Sequence, residues 1–159
     1  MCLICDRIQA IKDHQNPFFV RELETGYVVL GDHQYFEGYT LFLCKRHESE
    51  LFDLEDKFCA RFLQEMTMVA QAVSRAFQAG KMNYELLGNG DSHLHWHLFP
   101  RKDGDLGEHG INGKGPVWLV PPKVMYSDDS KPSTEVLTER INRLKKELKN
   151  LQEESEAEV

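Results

Sequence analysis

The segment from His93 to Phe99 constrains the fold more than any other part of this chain. Histidine occupies positions 93, 95 and 97, and an apolar residue follows each one. A period of two residues is that of a β-strand, whose alternate side chains point to opposite faces of a sheet. The pattern therefore predicts a strand that buries Leu94, Trp96 and Leu98 in the core and presents all three imidazoles on its other face.

Four further segments have the β-rich composition of strands and are bounded by glycine-containing turns. They span residues 17–23, 27–30, 39–44 and 82–87. Between the last two, apolar residues recur at steps of three and four, which predicts a long helix over residues 53–79 with Asp53 as its N-cap and Gly80 as its C-cap. The predicted fold is α+β, an antiparallel sheet of about five strands with the long helix on one face.

The chain divides into a main domain over residues 1–126, a linker over 127–133 and a C-terminal helix over 134–152. Five aliphatic residues recur in that helix at alternating steps of four and three: Leu137, Ile141, Leu144, Leu148 and Leu151. This stripe is short for a coiled coil, so we expect the helix to dock on its own domain or on a twofold partner, with a paired two-helix seam as the alternative. Residues 153–159 are a predicted frayed acidic tail.

Charge and composition exclude several classes of protein. The formal net charge of −7 argues against a protein that holds nucleic acid through its phosphates. No apolar run reaches the ~18 residues needed to cross a bilayer. The N-terminus has neither the basic start nor the apolar stretch of a secretory signal, so we expect a cytoplasmic protein with reduced cysteines and no nucleic-acid or membrane partner.

Two kinds of chemistry suit three histidines on one face of a strand. All three would hold one catalytic metal ion, since His-x-His pairs on strands are good zinc ligands. Alternatively, one imidazole is a nucleophile toward phosphorus, and its neighbours orient it or transfer protons. The motif in isolation does not separate these interpretations.

The motif resembles the signature of the histidine triad (HIT) superfamily of nucleotide hydrolases and transferases. The resemblance extends to Asn83, to Asp32 and to the segments Gly38-Tyr39-Thr40-Leu41 and Lys45-Arg46-His47, although the family usually has His where this chain has Tyr39. It covers roughly residues 1–101. It implies that residues 1–126 form a HIT-like catalytic domain and that the protein is a homodimer.

The resemblance also implies site residues and a small-molecule nucleotide substrate. His95 would attack the α-phosphorus and form a nucleotidyl-histidine intermediate, and His97 would bind the phosphate or the bridging oxygen. Asn89 would stand near the leaving-group oxygen, Asp32 would face the ribose hydroxyls, and Asn83 is a further substrate-binding candidate. Dinucleoside polyphosphates and nucleoside phosphoramidates are the implied substrate classes.

One departure from the family pattern concerns the residues before the triad. The family's Gly-Gln-Ser/Thr is here Gly88-Asn89-Gly90, which lacks the hydroxyl that would touch the phosphate. Ser92 is a candidate to replace it.

A structural zinc site is the second prediction. Cys2 and Cys5 have the spacing of a metal-binding pair, and together with His47 and His93 they would provide four tetrahedral ligands. A Cys-x-x-Cys pair recurs in a bacterial branch of the family, and its zinc-binding branch combines such a pair with a distal histidine and the first triad histidine. In that case His93 serves the Zn2+ and His95 stays free. The alternative is a frayed N-terminus with two idle thiols.

Two other functions stay open on the sequence alone. One is a metal-dependent hydrolase that uses His93, His95 and His97 together. The other is a nucleotide-binding or zinc-bearing interaction module without turnover, whose helix over 134–152 recruits a partner.

Overall fold

The computed structural model describes residues 1–158, and within them five strands form one antiparallel sheet. The strands are β1 (Phe19–Glu22), β2 (Gly26–Leu30), β3 (Thr40–Cys44), β4 (Lys81–Glu85) and β5 (His95–Arg101). Their spatial order is β1-β2-β3-β5-β4, so β5 lies between β3 and β4. The helices of this range are α1 (Leu3–Lys12), α2 (Asp56–Phe77), α3 (Pro122–Met125) and α4 (Thr134–Ala157). The predicted α+β fold is confirmed.

The sheet separates two apolar cores. On one face, α2 and α4 pack over a core that includes Leu94 and Leu98, and Trp96 packs against it. On the other face, α1 and the chain from residue 106 to 125 cover a core that includes Tyr39 and Phe99. This division confirms the predicted alternation of apolar residues along the histidine segment. It leaves His95 and His97 on the second face.

The limits of β5 differ from the prediction at both ends. The strand begins at His95 rather than His93, and it continues through Pro100 to Arg101 instead of stopping at Phe99. The pairing with β3 ends at Leu98, and beyond that point only β4 pairs with β5. Proline is tolerated there because one side of the strand has become an edge, where a missing N–H leaves no ladder bond unmade.

Helix α2 is shorter than predicted, and neither predicted cap is correct. The N-cap is Glu55 rather than Asp53, and its carboxylate accepts hydrogen bonds from the backbone N–H groups of Lys57 and Phe58. The C-cap is Gln78 in the left-handed conformation (φ 53°) rather than Gly80. Asp53 instead ends a short 3₁₀ turn that precedes the helix.

Helix α1 was not predicted from the sequence. Ile4, Ile8 and Ile11 are its buried residues, and they enter the core on the histidine side of the sheet. Its N-cap is Cys2, whose Sγ accepts a hydrogen bond from the backbone N–H of Cys5. Three isoleucines at steps of four and three give a weak periodic signal, and the packing surface beneath them stabilises the helix.

Helix α4 docks on its own domain. All five residues of the predicted stripe are buried in the core that α2 shares. The helix continues to Ala157, so residues 153–157 of the predicted acidic tail are helical, and Glu154 forms an ion pair with Arg75 at 2.8 Å. Val159 lies outside the described residues. Because α4 shares this core, the division of the chain into a main domain and an extension stays a prediction.

A buried carboxylate ties the turn between β1 and β2 to α2. Glu65 is 3% exposed and accepts hydrogen bonds from the backbone N–H groups of Glu24 and Thr25 at 3.0 and 2.9 Å. The Thr25 hydroxyl donates to the same carboxylate, and Arg61 pairs with it at 3.4 Å. These contacts fix one end of the sheet against the long helix. Over residues 1–158, no helix has the length and apolar character required to span a membrane.

Candidate functional site

His93 stands at the entrance to β5, and the two nitrogens of its ring have different partners. The residue is 2% exposed, and its Nε2–H donates a hydrogen bond to the backbone carbonyl of Cys44 at 2.7 Å. Burial lowers the pKa of His93, which keeps the ring neutral. Because a carbonyl oxygen only accepts, the proton resides on Nε2 and the lone pair on Nδ1. That lone pair faces the sulfurs of Cys2 and Cys5, at 3.6 and 3.4 Å.

The structure brings together the four residues that the sequence proposed as metal ligands. One ligand atom from each of Cys2, Cys5, His47 and His93 lies within 4.8 Å of the other three. Cys5 Sγ lies 3.1 Å from His47 Nδ1. A tetrahedral zinc ion with bonds of about 2.0–2.3 Å would hold its ligand atoms about 3.5 Å apart. The observed spacing therefore fits a zinc ion.

The electrostatics of this cluster also fit a cation. Burial and the neighbouring Cys2 thiol raise the pKa of Cys5, because two thiolates side by side are unfavourable without a compensating positive charge. A divalent ion supplies that charge and favours the thiolate form. The carbonyl bond at Nε2 of His93 is the outer contact that a metal-bound imidazole commonly makes.

His95 and His97 do not belong to the metal cluster. His95 is 8% exposed, and its Nδ1–H donates to the backbone carbonyl of His93 at 2.7 Å. The partner again only accepts, so Nδ1 carries a proton, and in the neutral form of the ring the lone pair is on Nε2. In that form His95 has the unprotonated Nε2 that a nucleophilic histidine requires.

His97 has a different kind of partner. Its Nδ1 lies 2.6 Å from the hydroxyl of Tyr39, and its ring centroid lies 4.7 Å from that of His95. Burial, with a smaller contribution from His95, lowers the pKa of His97 to about 4. The side chain is therefore neutral near pH 7. Glu85 pairs with His97 across β4 and β5, which places a carboxylate on the same face of the sheet.

The predicted ribose contact, Asp32, is already engaged by the N-terminal helix. Arg7 in α1 donates to both of its carboxylate oxygens, each at 2.7 Å. The Asp32 side chain is 32% exposed. Each carboxylate oxygen keeps a second lone pair, so Asp32 can still accept hydrogen bonds from ribose hydroxyls. Sequence reasoning missed Arg7 because α1 itself was missed.

The predicted contacts Asn83 and Asn89 lie on β4 and on the loop that follows it. Asn83 pairs with Phe99 in the sheet, and its Oδ1 accepts a hydrogen bond from Arg101 at 2.8 Å. Asn89 is exposed. A small cavity of about 30 Å³ next to His95 is lined by Ser92 and by Gly88, whose positive φ (94°) turns the loop there. Ser92, the candidate replacement for the missing phosphate-binding hydroxyl, therefore lines the same cavity as His95.

Comparisons with known proteins agree with this geometry. A HIT domain model matches residues 13–104, which is more than half of the chain. The matched segment contains His47 and the triad, whereas Cys2, Cys5 and all of α1 precede it. The chain therefore belongs to the HIT family.

Several solved structures share the fold. A histidine triad protein from Bradyrhizobium japonicum is 21% identical, with a TM-score of 0.68 over 82% of this chain and 89% of that chain. A hypothetical histidine triad nucleotide-binding protein from Sulfolobus tokodaii is 18% identical, with a TM-score of 0.68 over 93% of this chain and 94% of that chain. A zinc-bound histidine triad family protein from Mycobacterium smegmatis is 21% identical, with a TM-score of 0.63 over 96% of both chains. Among curated proteins, none matches this chain significantly.

Proposed function

We propose that this protein is a nucleotide hydrolase or nucleotidyl transferase that acts at the α-phosphorus of its substrate through His95. The observation that carries this proposal is the hydrogen bond from His95 Nδ1–H to the His93 carbonyl, at 2.7 Å. In the neutral form of this buried imidazole, the bond keeps the proton on Nδ1 and leaves the lone pair on Nε2 for attack. A neutral imidazole in this form is an effective nucleophile near pH 7.

The reaction has two displacements at phosphorus. In the first, a bond forms between His95 Nε2 and the α-phosphorus, and the bond to the leaving oxygen or nitrogen breaks with its electron pair on the leaving atom. That atom takes up a proton as it departs. In the second, water or another acceptor attacks phosphorus, loses a proton, and releases His95. We assign His97 to hydrogen bonding of the phosphoryl or bridging oxygen, where a neutral N–H stabilises developing charge.

A structural Zn2+ held by Cys2, Cys5, His47 and His93 is part of the proposal. The ion would supply charge compensation for the two thiolates and a fixed position for the N-terminus. The ring of His93 would then be fixed at both nitrogens, and its backbone carbonyl orients His95. The zinc-bound protein from Mycobacterium smegmatis supports zinc as the metal, and the N-terminal cysteine pair supports a bacterial-type branch of the family.

The remaining assignments are proposals on the same footing. We propose dinucleoside polyphosphates or nucleoside phosphoramidates as substrates, Asp32 at the ribose, Asn83 as a substrate contact, and Asn89 beside the leaving group. We also propose a cytoplasmic homodimer. The exposed Tyr84 on the edge strand β4 and the exposed Leu87 beyond it support a second copy at that edge.

Intact-mass spectrometry of rapidly quenched protein tests the proposed function. The zinc-loaded protein is mixed with adenosine phosphoramidate or diadenosine tetraphosphate, beside His95→Asn and the matched control His14→Asn. His14 is exposed and has a positive φ that asparagine tolerates. We expect an adenylyl adduct on the wild type and on His14→Asn, and none on His95→Asn.

Other outcomes of this experiment point to other functions. Product without an adduct that disappears on chelation would favour metal-dependent hydrolysis by the three histidines. Binding of adenosine monophosphate with neither adduct nor product would favour the interaction module.

A further inference from the structure

Tyr39 stands where the family pattern has a histidine, and its ring is held rigidly. The side chain is 7% exposed, and the ring stacks on Phe99 with centroids 4.2 Å apart and an interplanar angle of 1°. The backbone of Gly31 also approaches the ring so closely that a Cβ at that position would collide with it. This close packing fixes the ring, and its hydroxyl lies 2.6 Å from the Nδ1 of His97.

The direction of this hydrogen bond follows from the partners available. Within residues 1–158, His97 Nδ1 is the one hydrogen-bond partner of the Tyr39 hydroxyl. If His97 donated, the buried phenol proton would have no acceptor, and a buried donor without a partner is costly. Burial raises the pKa of Tyr39 well above its usual value, so the phenol keeps its proton. The Tyr39 O–H is therefore the donor and His97 Nδ1 the acceptor.

A neutral imidazole that accepts at Nδ1 has its proton on Nε2. His97 is neutral near pH 7 because burial holds its pKa at about 4. The neighbouring His95 has the opposite arrangement, since its Nδ1–H donates to a carbonyl. When both rings are neutral, Nε2 of His95 therefore carries a lone pair, and Nε2 of the adjacent His97 carries a proton.

We propose that Tyr39 is a positioning residue that holds the His97 proton on Nε2, so that His97 donates a hydrogen bond to the phosphoryl group attacked by His95. The catalytic half of this inference rests on the proposed function. The assignment of the proton does not, since it follows from the contacts of two side chains. Without the Tyr39 hydroxyl, Nδ1 loses its donor, and the neutral ring is free to move its proton to that nitrogen.

Nitrogen NMR of the imidazole rings and steady-state kinetics test this inference. Protein labelled with ¹⁵N-histidine is prepared with zinc as the wild type, as Tyr39→Phe and as Tyr27→Phe. Tyr27 is the matched control because it is also a buried tyrosine on this face of the sheet, and Lys45 lies over its ring. Thermal unfolding and zinc content establish that each variant is folded and loaded.

We expect the His97 proton on Nε2 in the wild type and in Tyr27→Phe, and a population with the proton on Nδ1 in Tyr39→Phe. We also expect kcat/KM for adenosine phosphoramidate to fall about 10- to 100-fold in Tyr39→Phe, the range typical when an outer partner of a catalytic group is removed. Tyr27→Phe should stay within about twofold of the wild type, because within residues 1–158 no hydrogen bond joins the Tyr27 hydroxyl to a triad histidine.

Three results would overturn the inference: a wild-type His97 with its proton on Nδ1, an unchanged tautomer in Tyr39→Phe, or an equal loss of kcat/KM in Tyr27→Phe. The first needs no variant, so a misfolded Tyr39→Phe leaves the inference testable. If the wild type gives neither adduct nor product with any nucleotide, the proposed function is wrong, and the NMR result still decides whether Tyr39 sets the tautomer.

Discussion

The two ends of the histidine row differ in what surrounds them, although the residue type and the spacing are the same. At the first end, His93 directs Nδ1 at two cysteine sulfurs, and its Nε2–H is held by the Cys44 carbonyl. At the other end, His95 and His97 lie on the face of the sheet that α1 covers, and their Nδ1 atoms are held by a carbonyl and by a hydroxyl. The comparison shows that the three rings have different outer partners, and under the proposed function those partners decide whether an imidazole binds a metal, attacks or donates.

The largest expected effect separates His95 from His93. Replacing His95 by Ala should lower kcat by about 10⁴-fold or more, because loss of a nucleophile removes the covalent route. Replacing His93 by Ala should abolish stoichiometric zinc binding and lower the melting temperature, with the adduct still formed by the folded fraction. Single-turnover kinetics and metal analysis check both. A His93→Ala protein that is fully stable and zinc-loaded would contradict the division between the two ends.

Removal of the metal tests the His93 end of the histidine row alone. A ligand at about 1,000 times its Kd stabilises a folded protein by about 4 kcal/mol, which is about 10 °C for a chain of this size. We therefore expect chelation to lower the melting temperature of the wild type by about that amount. The Cys5→Ser variant should have a low melting temperature from the start, and chelation should change that temperature little. Cys59→Ser, which changes a cysteine outside the cluster, is the control. An unchanged melting temperature after verified zinc loss would show that the cluster is not a structural metal site.

The pH dependence of stability tests the other end of the histidine row, through His97. An unfolded histidine binds a proton near pH 6.5, whereas burial lowers the native pKa of His97 to about 4. Between these values the unfolded state binds more protons, so the free energy of unfolding falls as the pH falls. The difference between the unfolded and native pKa values of His97 corresponds to about 3 kcal/mol in the free energy of unfolding. Between pH 7 and pH 4, we expect the free energy of unfolding of the wild type to fall by about that much more than that of His97→Gln. Urea titrations measure this free energy, with the zinc content determined at each pH. Equal losses would contradict a buried neutral His97.

The smallest expected effect concerns Asp32, which pairs with Arg7 of the N-terminal helix. If its carboxylate accepts hydrogen bonds from ribose, Asp32→Asn should weaken the preference for adenosine monophosphate over its 2′-deoxy analogue by about 1.5 kcal/mol, roughly tenfold. Calorimetric titration measures both affinities, and Asp129→Asn, a change at an exposed aspartate, is the control. An unchanged preference would leave Asp32 as a structural partner of Arg7 alone.

Strong periodicity made parts of the fold predictable. The histidine strand and α2 were predicted because their apolar residues repeat over many positions at the periods of a strand and of a helix. Helix α1 was missed because its stripe contains only Ile4, Ile8 and Ile11. The caps of α2 were wrong because Asp53 and Glu55 are both good N-caps, and the entry of the chain from a 3₁₀ turn selects Glu55.

The candidate site likewise contains residues that the sequence made predictable and residues that it did not. The four metal-type residues were identifiable from their chemistry and spacing, and the structure brings them together. The loop before β5 turns at Gly88, whose positive φ is not visible in a motif, and Ser92 lines the small cavity beside His95. Arg7 and Tyr39 escaped notice as site residues because neither carries a signal of its own until the fold places it against Asp32 or His97.

The sequence by itself determined which segment carries the histidines, which residues are buried behind them, and which side chains can bind a metal, because periodicity and ligand chemistry are properties of residue type. Only the tertiary structure decided which ring nitrogen of each histidine keeps its proton. That choice depends on single acceptor and donor atoms from Cys44, His93 and Tyr39, placed within 2.6 to 2.7 Å of the rings. Hydrogen bonds act only over such distances, and two of the three partners lie far from the triad along the chain.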